Sequence, residues 1–395
     1  MNLLYTLTTY PPSTGGAQIH QHQLAKHLKD RHHIQVVGHW DNNRTDWLLG
    51  TTLRAPGTPK DYIVENITVH CMGFSCPEKA MMMPFVLGYY PAMVLGHPLW
   101  RPIAARIEKQ LRPYSEKADL IHNVRIGREG LSYASYRTAR KRDIPFVLTP
   151  VHHPRWVGRK YAAYNTLYTM ADAVFALTRA ENDVLVKLGV QEHRVHVIGH
   201  GPVLETQANP GPFLEKYRIE PPMVLFLGQH YPYKGYNELL EAARITWKTK
   251  PETHFVFIGP PVGQSELVFK EAADPRIHRL GIVSLQEKTD ALAACSLLCV
   301  PSTQESFGGV YVEAWCFEKP VIGCNIPAVA EVITDETDGF LVPQEPKSIA
   351  EKIIFLLDNE AAARRMGISG KRKADEKYTW PRISEHVEKV YNDLL

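Results

Sequence analysis

Cysteine is scarce in this chain, with six residues (Cys71, Cys76, Cys295, Cys299, Cys316, Cys324) in 395. That excludes a small disulfide-stapled fold. Four of the six lie in apolar runs where a reduced thiol packs as a core residue, so no disulfides are expected. A long uninterrupted apolar run is missing too. The nearest to one, "MMMPFVLGYYPAMVLGHPLW" (81–100), is cut by Pro84, Pro91 and Pro98 and reads as an interfacial or packed segment, not a spanning helix. The opening "MNLLYTLTTYPPS" has only a short apolar run and no basic leader, which makes it a first β-strand, not a signal peptide, in a protein expected to be cytoplasmic. The G-x-G-x-x-G of nicotinamide dehydrogenases is absent, since "TGGAQ" has the wrong spacing. Fourteen of the 18 histidines fall in the first 200 residues, among them the "HQH" at 20–22, but no further ligand motif accompanies them and no metal site is expected. Low-complexity tracts are also lacking. With 44% hydrophobic and 22% charged residues, the chain should fold throughout.

A chain of this length suits two domains of about 150 to 200 residues. Short β-branched runs alternate with amphipathic stretches, the pattern of parallel strands joined by crossover helices. A first series reads as strands at 2–7, 34–38, 67–71, 119–122, 145–149, 173–177 and 195–199. After the polar, Pro- and Gly-containing "LETQANPGPF", which looks like a linker, a second series reads at 223–228, 254–259, 277–281, 297–301, 320–323 and 339–342. After "STGG", Ala17, Leu24, Ala25 and Leu28 share one helical face, as do Ile383, Val387, Val390 and Leu394 in the last segment. The expected architecture is α/β: two Rossmann-like doubly wound domains facing each other across a cleft, at 1–205 and 206–380, with a terminal helix of about 381–395 returning to the first. Ligands of such sheets bind at the carboxyl ends of the strands.

Charge is distributed unevenly although the net value is only +3. Residues 1–200 hold 24 Lys and Arg against 15 Asp and Glu, whereas the remainder holds 21 against 27. Residues 101–160 carry the whole basic excess, so something anionic is expected to meet that face.

After the apolar strand 297–301 comes "STQESFGGVYVEAW". Gly308-Gly309 opens a helix whose first amides can approach a phosphate. Glu305 lies before that terminus and Glu313 about one turn inside it. A carboxylate accepts two hydrogen bonds in a fork, which suits the vicinal hydroxyls of a ribose or hexose. Two acids flanking a phosphate-binding helix end are thus suited to a sugar on each side of a diphosphate, the shape of a nucleotide sugar.

"PSTQESFGGVYVEAWCFEKPVIG" resembles the Glu-x7-Glu region of family 4 retaining glycosyltransferases with the GT-B fold. "YPPSTGGAQ", "PFVLTPVHHP", "GQHYPYKG" and "EVITDETDGFLV" follow the family's order along nearly the full length. The resemblance implies a hexosyltransferase that uses a nucleotide diphosphate sugar and needs no cofactor or metal. It implies that Glu305 binds donor-sugar hydroxyls and Glu313 the ribose, while Gly308 and Gly309 offer amides to the sugar and diphosphate. It further implies that Lys234 neutralises the diphosphate, that Gly16 belongs to a glycine loop near donor phosphate or acceptor, and that the base packs near Ile282 and Val283. A histidine at the donor sugar is implied as His152 or His153, with His153 favoured. Gln229 departs from the family, which usually has Arg there; a neutral amide replaces a charged fork.

The acceptor is expected to be a glycan, a lipid-linked sugar or another anionic or small molecule, with an anionic membrane surface as a partner of the basic segment and no nucleic acid partner. Two further readings are a nucleotide-sugar-binding protein without catalysis and a GT-B-like epimerase or phosphorylase.

Overall fold

The computed structural model describes residues 1–13, 15–39, 48–94, 99–124, 129–152, 156, 158 and 161–395. These fall into two units. Unit 1 comprises Met1–Gly199 with Trp380–Leu395, and unit 2 comprises His200–Thr379.

Unit 1 holds β1 (Asn2–Leu7), β2 (His33–His39), β3 (Lys60–Val64), β4 (Ile67–Met72), β5 (Leu120–Val124), β6 (Phe146–Thr149), β7 (Ala173–Ala176) and β8 (Val195–Val197). Among the described residues they form one sheet in the order β3-β4-β2-β1-β5-β6-β7-β8. β1 is buried from Leu3 to Leu7, as a parallel strand covered on both faces must be. β2 lies on one side of it and β5 on the other, so the carboxyl end of β1 is a point where strand order reverses. The helix Gly16–Leu28 follows from that point.

β3 was not expected. It runs antiparallel to β4 through a turn in which Glu65 (φ 47°) and Asn66 (φ 66°) are both left-handed. This is the hairpin geometry that a glycine usually announces; none stands here, and β3 has no fully buried position to form an apolar run. Helix Cys76–Val94 continues through Pro84 and Pro91, where breaks were expected. Both prolines are exposed together with Ala80 and Leu87, so the two carbonyls deprived of a donor lie on the solvent side. Among the described residues no helix is long and apolar enough to cross a membrane.

The helix Trp380–Leu394 belongs to unit 1. Trp380 packs edge-on against His20, and Glu388 bonds His32 at 2.6 Å and Arg31 at 3.0 Å. Its Tyr391 hydroxyl lies 2.6 Å from His122 Nδ1 at the centre of the sheet. Burial pushes the His122 imidazole down to about 3, so it stays neutral there.

Unit 2 contains β9 (Met223–Leu227), β10 (His254–Ile258), β11 (Ile277–Gly281), β12 (Leu297–Val300), β13 (Val321–Cys324) and β14 (Gly339–Val342), all parallel, in the order β11-β10-β9-β12-β13-β14. Here the order reverses between β9 and β12. The segment read as a linker is tied down: Glu205 N donates to Thr289 Oγ1, Asn209 N to Asp290 Oδ1, and helix Pro210–Tyr217 begins within it. Those bonds, with that of Val203 N to Glu313, explain why unit 2 starts at His200 and not at 206.

Candidate active site

Two loops leave the carboxyl ends of β9 and β12, the adjacent strands at the reversal point of unit 2. The first carries Gln229 and Lys234; the second carries Glu305, Gly308 and Gly309. They are stitched together. Thr303 N donates to Tyr233 O at 2.8 Å, and the Gln344 amide donates to both Tyr233 O and Pro301 O, at 3.0 and 2.7 Å. Gly235 (φ +80°) passes so close that a Cβ would lie 2.5 Å from Pro301 O, so only glycine allows the loops this approach.

The stitching brings Lys234 to Glu305. Nζ lies 2.5 Å from Oε1, with the side chains 19% and 11% exposed. A mostly buried carboxylate is costly unless paired, and the lysine supplies that pairing. Gly308 (φ +86°) caps the helix Gly309–Trp315, whose Tyr311 donates to Val300 O at 2.6 Å. Glu313, 5% exposed, projects from this helix; Lys288 Nζ reaches its Oε1 at 2.7 Å and Val203 N reaches the same atom at 3.2 Å. Each of the two acids is therefore matched with one lysine.

Lys234 is the only permanent cation in residues 228–236 and 301–309. The neighbouring His230 is fully buried, and burial pushes it down to about 4, so it brings no charge. Gln229 is half-buried and neutral. On the edge strand, Ile282 is 67% exposed just beyond β11 and Val283 half-buried beside it. An exposed isoleucine at a strand's carboxyl end offers a flat apolar surface to a ring. Ser284 then starts the helix Leu285–Ala294 with a capping box to Glu287.

In unit 1, Gly16 begins the helix that follows β1, with no atom of the described residues beyond its own neighbours within 4 Å of the place a Cβ would take. His152, after β6, is buried: its N–H donates to Glu181 Oε1 at 2.6 Å and its ring meets Trp156 and Tyr168 edge-on. Burial pushes Glu181 up to about 7, against the opposing pull of the Leu177 and His152 amides that donate to it. His153 lies outside the described residues. The two histidines of "HQH" serve separately: His20 Nε2 lies 3.2 Å from Gly199 O, and His22 Nδ1 lies 2.8 Å from the Tyr10 hydroxyl.

Sequence reasoning missed two residues here. Lys288 belongs to no motif and meets Glu313 only through the fold. His200 stacks on Phe307 and sits 3.1 Å from the position a Gly309 Cβ would occupy, so it backs the start of the glycine-opened helix.

The family described as "Glycosyl transferases group 1" matches residues 214–373, and that described as "Glycosyl transferase 4-like domain" matches residues 15–201. The chain belongs to the family 4-like glycosyltransferases. As such an enzyme it is similar to an uncharacterized glycosyltransferase of Methanocaldococcus jannaschii, 26% identical over 98% of this chain and 96% of that protein. It is also similar to the alpha-D-kanosaminyltransferase of Streptomyces kanamyceticus, 22% identical over 87% and 94%. Among solved structures, Anabaena HepE in complex with UDP and glucose superposes with a TM-score of 0.74 at 19% identity, all of both chains covered. Sucrose-phosphate synthase from Thermosynechococcus elongatus gives 0.75 at 16%, over 100% of this chain and 99% of that one. The glycosyltransferase therefore has the GT-B fold.

Proposed function

We propose that this glycosyltransferase moves a hexosyl unit from a nucleotide diphosphate sugar to a hydroxyl of a glycan, lipid-linked or small-molecule acceptor, with retention and without a metal. The observation that carries the reading is the pair of lysine-matched carboxylates at the reversal point of the unit 2 sheet. Glu305 takes the hexose hydroxyls, Glu313 the ribose, and Ile282 with Val283 the base. Lys234, now held by Glu305, turns to the diphosphate when the donor enters and stabilises the negative charge that grows on it, as do the amides at Gly308 and Gly309. The bond from the anomeric carbon to the diphosphate oxygen breaks, the acceptor oxygen bonds that carbon from the same face, and the acceptor proton passes to the departing diphosphate. Supplying UDP-, GDP- and ADP-hexoses and following release of the nucleoside diphosphate tests this. Slow release with one donor, raised by an acceptor, is expected; binding of a donor without any release would leave a nucleotide-sugar-binding protein.

A second feature bears on the acceptor. Met81, Met83 and Leu87 are exposed on helix Cys76–Val94, and Arg101, Lys109 and Arg112 are exposed on the following helix Trp100–Ser115. Apolar side chains beside cations suit a peripheral contact with anionic lipid, each cation adding about 1 kcal/mol. We read unit 1 as the acceptor unit, docking on such a surface. The protein should pellet with anionic vesicles at low salt and be released by salt within a Debye length's screening; failure to pellet at low salt removes the membrane and leaves a soluble acceptor.

A further inference from the structure

We propose that Lys288 is a positioning residue that makes Glu313 selective for a nucleotide carrying both ribose hydroxyls. The inference rests on the reading of Glu313 as the ribose-binding carboxylate. A carboxylate oxygen offers two lone-pair sites. On Glu313, Oε1 has both filled, by Lys288 Nζ at 2.7 Å and by Val203 N–H at 3.2 Å, whereas no described residue bonds Oε2. Two acceptor sites thus remain on one oxygen, the number that a vicinal diol fills. Lys288 fixes which oxygen is left over, sets the plane of the carboxylate, and offsets the cost of enclosing a 7%-exposed acid by pairing with it.

The lysine is itself held. It lies in the first turn of helix Leu285–Ala294, whose start is locked by the Ser284–Glu287 capping box: Glu287 N donates to Ser284 Oγ at 3.1 Å, and Ser284 N to Glu287 Oε2 at 3.0 Å. Glu287 is pinned in turn by Lys216 at 2.5 Å and by the Tyr217 hydroxyl at 2.7 Å, and these bonds pull its carboxyl down to about 2. The capping serine directly follows Ile282 and Val283. A single fixed helix start therefore carries both the apolar surface read as the base platform and the ammonium that orients the ribose carboxylate, so base and ribose are recognised as one rigid unit.

Calorimetry with UDP, GDP and ADP and their 2′-deoxy counterparts tests this. Wild type is expected to bind its preferred ribonucleotide at least about tenfold more tightly than the deoxy form, as befits a hydroxyl bonded to a charged group. Lys288→Met should bring the ratio to within about threefold, mainly by weakening the ribonucleotide, and raise the donor KM while kcat changes far less; Lys288→Arg, which keeps the charge, should restore most of the ratio. Lys288→Gln replaces Lys288→Met if the latter does not fold. A wild type that ignores the 2′-hydroxyl overturns the ribose reading of Glu313 and this inference with it. A wild type that discriminates, with a neutral variant that discriminates equally, overturns the inference alone. Equal loss in the Arg variant would make Lys288 a packing residue and overturn it as well.

Discussion

Lys234→Ala should lower turnover by about a hundredfold, because it removes the one fixed cation of the two loops at the point where negative charge grows on the leaving group, and losing one preorganised donor of this kind costs roughly 10²- to 10³-fold. Gln229→Ala should lose far less, since a neutral amide supplies only a dipole. Glu305→Gln should cost at least about tenfold, an ionic acceptor being worth roughly 1.5 to 3 kcal/mol. The double variant should fall short of the product of the two single losses. Lys234 and Glu305 lie 2.5 Å apart, so removing either already leaves its partner unmatched. Turnover measured by nucleoside diphosphate release, with circular dichroism as a check of folding, decides the matter. Turnover within threefold of wild type for Lys234→Ala would strip the lysine of its role.

Gly308→Ala is expected to damage stability and activity together. The residue sits at φ +86°, where a Cβ is strained by about 1 to 2 kcal/mol, and that Cβ would lie 2.5 and 2.7 Å from Cε2 and Cδ2 of Tyr311. The ring has nowhere to retreat, being fully buried with its hydroxyl bonded to Val300 O. Overpacking of this kind adds about 1 to 3 kcal/mol. A total near 3 kcal/mol corresponds to a fall of about 10 °C in the melting temperature for a unit of this size. The first amides of the helix would shift as well, taking turnover down with them. A variant that melts and turns over like wild type would show that the loop adapts and that the left-handed glycine is dispensable.

The parallel strands and the Glu305–Glu313 stretch were legible in the sequence because their signals are local: unbroken β-branched runs and a Gly-Gly pair between two acids. Features that depend on distant partners were not. β3 alternates half-buried and exposed residues and turns on Glu65 and Asn66, so neither composition nor a glycine marks it. Pro84 and Pro91 lie inside a helix with the carbonyls they deprive of a donor on exposed residues, and exposure cannot be read from the prolines themselves. The segment around Asn209 has a linker's composition, yet its backbone bonds to Thr289 and Asp290, some 80 positions on. Lys288 is one lysine among many until the fold sets it beside Glu313. His152 and His153 could not be told apart by spacing; the structure encloses the first between Trp156 and Tyr168.

The return of the helix Trp380–Leu394 to unit 1 makes unit 2 an insertion within the other unit's chain, and this sets an order for biosynthesis. On the ribosome, unit 2 is complete once Thr379 has emerged, whereas unit 1, though begun first, still lacks the residues that give His122 its Tyr391 hydroxyl and His32 its Glu388. Domains usually mature from the amino terminus onward; here unit 2 should reach its native state first and unit 1 should wait for residues 380–395. Released chains truncated after Thr379 and challenged with protease should therefore yield a resistant fragment from unit 2 while unit 1 is still cut, and equal resistance of both would refute that order.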